Sequence, residues 1–142
     1  MWNHCGVSTV RQATPQDKDA VIAIWRACDL VKPQNDPSLD FDLALRTATS
    51  TIFVLEDADQ LIGAVMAGFD GHRGWFYYLG VAPHFQSVGN GRLLVESAET
   101  WLYAQGAPKT MLMVRETNTK VIAFYEKLGY TLENTRVLGK RN

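Results

Sequence analysis

Residues 84–102 read HFQSVGNGRLLVESAETWL. Gly89, Asn90 and Gly91 are poor helix formers, yet they stand directly before Arg92 to Gln105, a run with the composition of a helix. Ahead of them lies WFYYLGVAP, residues 75–83, rich in the aromatic and β-branched side chains that suit a strand. Strand, glycine turn and helix in that order leave two readings open: the turn is simply tight, or something approaches bare backbone there. A helix start carries unpaired N–H groups and a partial positive charge, and phosphate fits it. Glycine removes the Cβ that would hold a phosphate away from the backbone. Gln86, Ser87, Val88, Gly89, Asn90 and Gly91 can therefore form a nest of donors for a pyrophosphate, with Arg92 adding charge.

Two other phosphate motifs fail on the same residues. A nucleotide P-loop needs Lys and then Ser or Thr after its last glycine, and here GNGRLL follows. A dinucleotide fingerprint needs a third glycine and a parallel sheet before it. The third glycine is missing, and the strands upstream read as antiparallel.

Those upstream strands are TIFVLED (51–57), LIGAVMAGFD (61–70) and WFYYLGVAP, joined by the short turns ADQ and GHRG, which is a meander. Before them, VSTVRQA (7–13) reads as a strand. TPQDKDAVIAIWRACDL (14–30) reads as a helix capped by Thr14, with Pro15 at its first position. The two prolines of VKPQNDPS end it, and LDFDLALRTATS (39–50) reads as a second helix. Downstream, Gly106 and Pro108 stop the glycine-loop helix. TMLMVRE (110–116) reads as a strand, TNTKVIAFYEKLG (117–129) as a helix capped by Asn118, and YTLENTRVLGK (130–140) as a final strand or pair. The expected fold class is α/β, in the α+β sense, as one domain over residues 1–142, in the order β-α-α-β-β-β-α-β-α-β. A helical crossover between the fourth and fifth strands makes that pair parallel inside a mostly antiparallel sheet. Such a junction lets the two strands splay and leaves a slot beside the glycine turn.

Bulk properties narrow the function. The chain has 142 residues, 46% apolar, and a formal charge of −1, which gives no electrostatic case for nucleic acid or an anionic membrane. No apolar run approaches the roughly 18 residues of a membrane span. The start MWNHCGVSTVR has no basic head followed by an apolar stretch, so a cytoplasmic protein is expected. Cys5 and Cys28 make neither a disulfide framework nor a metal motif, and no metal is expected.

GVAPHFQSVGNGRLLVESAETWLYAQG (80–106) resembles the acetyl-CoA-binding segment of the GNAT superfamily of N-acetyltransferases, whose loop Gln/Arg-x-x-Gly-x-Gly/Ala is met by Gln86, Gly89 and Gly91. VRETNTKVIAFYEKLGY (114–130) is similar to that family's closing segment, with Asn118 and then Tyr125 seven residues later. GFDGHRG at 68–74 resembles the GYDGHRG-like turn of a branch of small bacterial acetyltransferases. The resemblance implies transfer of an acetyl group from acetyl-CoA to a primary amine, on a small molecule or a peptide, by direct attack in a ternary complex. It implies that backbone N–H groups from Ser87 to Gly91 hold the pyrophosphate, and that the strand Leu79 to Val81 pairs with the pantetheine arm. It further implies that the Val81 N–H polarises the acetyl carbonyl, that Asn118 touches the pantetheine, and that Tyr125 protonates the departing thiolate. Dimers are frequent among such proteins, so a homodimer is compatible with it.

No base is evident. Some branches carry a Glu before the VR of the fifth strand, where this chain has Met113; others carry one on the fourth strand, which has no acid here. Asp70, His72 and Glu116 remain as candidates, with Tyr77 or Tyr78 ordering water. Asp70 and His72 read equally as ordinary turn residues. Asp36 and Asp40, in and beside the loop between the first helices, can attract a cationic acceptor. The competing reading of the whole chain is a CoA-binding sensor or partner module without transfer activity.

Overall fold

The computed structural model describes residues 8–142, so Cys5 and the first residue of the expected first strand lie outside the described residues. β1 (Thr9–Gln12) leads through a 3₁₀ turn (Pro15–Asp17) into α1 (Lys18–Ala27) and α2 (Pro37–Arg46). The meander β2 (Ser50–Asp57), β3 (Gln60–Phe69) and β4 (Gly74–Val81) follows. A second 3₁₀ turn (Pro83–Phe85), α3 (Asn90–Gln105), β5 (Thr110–Leu112) and α4 (Thr119–Lys127) complete the order.

Entry into α1 is fixed by charge. The Asp17 carboxylate accepts the Thr14 backbone N–H at 2.8 Å and two Arg11 guanidinium nitrogens at 2.8 and 3.0 Å. This pairing holds the buried carboxyl well below its usual range, at about 2. α2 starts at Pro37 because Asp36 caps it, accepting the N–H groups of Ser38 and Leu39 at 3.0 and 3.2 Å.

The five strands lie in the order β1-β2-β3-β4-β5, with β4 and β5 parallel and every other pair antiparallel. Alternation along β2 sorts side chains between two layers. Val54 faces α1 and α2, in a cluster with Val21, Trp25, Phe41 and Ala64. Its neighbour Leu55 faces α3, in a cluster with Leu94, Val95, Ala98 and Leu102. α3 lies so close that a Cβ on Gly63 would come within 2.9 Å of Leu94 Cδ1, and one on Gly74 within 2.9 Å of Leu102 Cδ1. No helix among the described residues is long and apolar enough to cross a membrane.

Two features of the sheet create the slot. β5 pairs with β4 only from Gly74↔Thr110 to Phe76↔Leu112, so β4 from Tyr77 onward has no partner on that side. Between Ala64↔Gly80 and Met66↔Tyr77, Tyr78 and Leu79 of β4 stand against Val65 alone. This is a bulge, and Tyr78 takes φ +55° within it. A bulge bends its strand, so β4 leaves β5 where the extra residue enters.

The expected sixth strand does not form: residues 130–142 carry no strand. After Tyr130 and Leu132 the two-residue alternation fails, since Asn134 and Arg136 are polar and Val137 and Leu138 are adjacent. Leu132, Val137 and Leu138 are all exposed. β5 likewise stops at Leu112 rather than running to Glu116.

Candidate active site

Gly89 is the N-cap of α3, at φ +90°, where a side chain is strained; nothing lies within 4 Å of where its Cβ would be. Ser87 is also left-handed, at φ +65°. The Asn90 side chain folds back and donates to the Phe85 carbonyl at 2.9 Å. The first backbone bond of the helix is Leu93 N–H to Gly89 O, at 3.1 Å. The N–H groups from Ser87 to Arg92 are therefore without acceptors among the described residues, and they sit at the positive end of a sixteen-residue helix. Such a row of donors at a helix start could hold an anion, and the pyrophosphate of coenzyme A would fit its chemistry. The two glycines serve different ends. Gly91 has an ordinary helical φ, and its Cβ would meet Phe124 Cζ at 3.2 Å, so it lets α4 pack on the start of α3. The Arg92 guanidinium is turned to Glu96, at 3.1 Å.

The open edge of β4 faces the same end. Ala82 N–H donates to Ile62 O of β3 at 2.7 Å. Backbone direction alternates along a strand, so Val81 and Leu79 turn their N–H and C=O groups the other way, towards the side β5 has left. The Val81 carbonyl is already taken: Gln86 Nε2 donates to it at 2.7 Å and the Cys28 thiol at 3.3 Å. The Val81 N–H is left to point into the slot. Gln86 thus ties the glycine loop to β4 through its side chain, a link that loop spacing alone does not reveal. Cys28 is half-buried, and burial pushes its thiol up.

Tyr125 lies on α4, 7% exposed, in the same buried cluster as Val81 and Leu94. Its ring meets Phe124 and Tyr130 edge-on, with centroids 5.0 and 5.6 Å away. Its hydroxyl makes no hydrogen bond with any described residue, and burial pushes its pKa up. Asn118 caps α4, accepting Val121 N–H at 3.4 Å through Oδ1.

The acceptor candidates are dispersed. Asp36 is committed to its helix cap. Asp70 receives the backbone N–H groups of His72 and Arg73 at 2.8 and 2.7 Å and Trp75 Nε1 at 3.2 Å. Those bonds hold its carboxyl below the usual range and staple the GHRG turn. His72 is exposed on that turn, and Glu116 is exposed on the turn before Asn118. Tyr77 stands 41% exposed at the bulge, where burial of part of its ring and the charge of Asp70 push its pKa up. Asp40, by contrast, accepts the Tyr78 hydroxyl at 2.6 Å, and both line an open cleft of about 340 Å³. That pairing was illegible beforehand because it depends on the bulge. No group of metal-ligating side chains occurs among the described residues.

Comparison with known proteins shows the family. Residues 18–130 match the model of the acetyltransferase (GNAT) family. An acetyltransferase of Yersinia enterocolitica is 43% identical over 132 residues, covering 93% of this chain and 94% of the relative. One of Pectobacterium atrosepticum is 44% identical over the same length and coverage. Among solved structures, an aminoglycoside N-acetyltransferase AAC(6')-Iy in complex with CoA superposes with a TM-score of 0.83 at 16% identity, covering 100% of this chain and 99% of that one. A predicted acetyltransferase with acetyl-CoA from Clostridium acetobutylicum gives 0.77 at 14% identity, covering 94% and 96%. The chain belongs to the GNAT family of acetyltransferases, and with it to the acetyl-CoA-dependent N-acetyltransferases.

Proposed function

We propose that this protein transfers the acetyl group of acetyl-CoA to a primary amine that enters from the α2 side of β4, with both substrates bound together. The observation that carries this reading is the unpaired N–H cradle from Ser87 to Arg92, set beside the open edge of β4. Acetyl-CoA supplies an activated acetyl group as a thioester. Ser87 to Gly91 hold its pyrophosphate, and the Leu79 to Val81 backbone pairs with the pantetheine as an added strand would. The Val81 N–H aims at the acetyl oxygen, where a fixed donor stabilises developing negative charge. Gln86 and Cys28 act through Val81, by holding its carbonyl. Asn118 borders the pantetheine. Tyr125 holds a proton at its hydroxyl for the sulfur that departs as coenzyme A.

The amine must be neutral to attack, and an alkylamine of pKa near ~10 is mostly charged at neutral pH. Asp70 is a poor base here because the bonds it accepts from the Arg73 and His72 N–H groups hold its carboxyl below the usual range, and Asp36 is engaged in capping α2. The cleft is open, so water takes the proton. Holding the two reactants in one slot supplies much of the remaining rate. Aminoglycosides, acted on by a structural neighbour, are one class of amine to include among the acceptors tested.

The test is thiol release from acetyl-CoA across a panel of primary amines and N-terminal peptides, with mass detection of the acetylated product. Product formation supports the reading. Tight CoA binding without transfer to any amine points instead to a sensor module.

A further inference from the structure

We propose that the acceptor carries a second, non-reacting ammonium, and that Asp40, held by Tyr78, binds it in the cleft between α2 and β4. The inference rests on the acetyl-transfer reading and concerns its acceptor.

The cleft is lined by Asp40, Leu43, Thr47, Met66, Tyr77 and Tyr78, among others. Asp40 is the acid it contains, and it is half-buried. Other acids of the first helices have cations: Asp42 pairs with Lys18 at 2.9 Å, and Asp17 with Arg11. Asp40 has none among the described residues; its one contact is the Tyr78 hydroxyl, on Oδ2. A partly desolvated carboxylate without a counter-cation is costly to keep, and a ligand cation relieves it.

Tyr78 is firmly placed for its task. Its ring stacks on buried Trp25, centroids 4.1 Å apart and 16° from parallel. Its backbone takes the left-handed conformation of the bulge, at φ +55°. A bulky residue held in that region marks a place where the surrounding packing overrides local strain. The bulge begins at Tyr78, two residues past the last β4–β5 pair, and takes in Leu79, so the cleft opens beside the slot where the acetyl group is expected.

The chemistry decides which nitrogen sits on Asp40. A carboxylate favours the protonated form of an amine, whereas the attacking nitrogen must be neutral. Asp40 therefore suits an anchoring ammonium, while a second amine on the same molecule reaches the thioester. The apolar walls of Leu43 and Met66 suit an aliphatic link between them.

The experiment compares 1,5-diaminopentane with pentylamine at saturating acetyl-CoA. The wild-type chain is expected to favour the diamine by about tenfold in kcat/KM, beyond the twofold from having two amines. In Asp40→Asn that preference falls to about twofold, through a higher KM for the diamine. Tyr78→Phe, which keeps the charge and loses the hold, lies between. Calorimetry of 1,5-diaminopentane on the CoA-bound wild-type protein reads the cleft without turnover and is expected to weaken severalfold with added salt. Equal kcat/KM for the two amines, an unchanged preference in Asp40→Asn, or salt-independent diamine binding overturns the inference while leaving acetyl transfer standing. Absence of transfer to both amines, with salt-sensitive diamine binding intact, would remove the activity and not the cleft.

Discussion

Gly89→Ala and Gly91→Ala change the same residue type two positions apart, and the structure gives them unequal outcomes. Gly89 is left-handed at φ +90° with empty space around its Cβ direction, so alanine there meets no neighbour but carries the backbone penalty of about 1–2 kcal/mol. Reduced freedom of the unfolded chain returns roughly 0.4–1 kcal/mol, leaving a net loss near 1 kcal/mol. For a chain of this size that lowers Tm by about 2–4 °C. Gly91 has a helical φ, where alanine gains up to about 1 kcal/mol of helix propensity. Against this, Phe124 Cζ at 3.2 Å must give way by a few tenths of an ångström, so the net stability change is close to zero. The ligand effect follows the nest. Alanine at Gly89 rotates the donors around it, and each charge-assisted hydrogen bond lost is worth about 1.5–3 kcal/mol, or at least tenfold in Kd for CoA. Gly91→Ala is expected to bind CoA within about threefold of wild type. Thermal unfolding by circular dichroism and calorimetric CoA titration check both. A Gly89→Ala protein with wild-type Tm and wild-type CoA affinity, or a Gly91→Ala protein more damaged than it, would refute the division of roles.

Three other outcomes follow. Tyr125→Phe is expected to lower kcat by about 10²-fold with the Kd for CoA unchanged, because its hydroxyl has no structural partner to lose; steady-state kinetics beside CoA calorimetry reads the split. Gln86→Ala removes the 2.7 Å bond that holds the Val81 carbonyl, and should reduce kcat several-fold while Tm moves little, since the side chain is exposed. Stability is bounded by pH on both sides. The Asp17 carboxyl is lowered from 3.8 to about 2, so its contribution, about 2 kcal/mol, is complete above pH 3.8 and lost as pH falls towards 2. The hydroxyls of Tyr78, Tyr125 and Tyr130 are raised, so theirs is complete below pH 10 and lost as pH rises beyond it. Urea midpoints of Asp17→Asn should fall below wild type at pH 7 and converge with it near pH 2.

The elements legible in the sequence were those specified locally. Alternation and turn chemistry gave the meander, the Asn118 cap marked a helix start, and a helical crossover implied the parallel β4–β5 pair, whereas the Asp36 cap, which starts α2 at Pro37 rather than Leu39, was not read. The glycine turn before α3 was legible because a glycine pair at a helix start is a local fact. What stayed hidden depends on distant partners. The bulge at Tyr78 exists because β3 and β4 disagree by one residue, and no pattern within WFYYLGV announces it. The Gln86 and Cys28 bonds to the Val81 carbonyl join residues 5 and 53 positions apart. Gly91 was legible as a loop glycine, but its packing against Phe124 required α4 to be in place. The last segment misled for the opposite reason: its composition favoured a strand, yet its alternation breaks after Leu132, and the chain stays exposed.

The central claim is that coenzyme A is held by main-chain donors at the start of α3 and along the open edge of β4. Titrating CoA into nitrogen-15-labelled protein, with amide resonances assigned, addresses it residue by residue. The account predicts that the largest shifts fall on Ser87 to Arg92 and on Leu79 to Val81, with Gly63 and Ala64 little moved. Saturable CoA binding that leaves the Ser87 to Arg92 amides in place would contradict it.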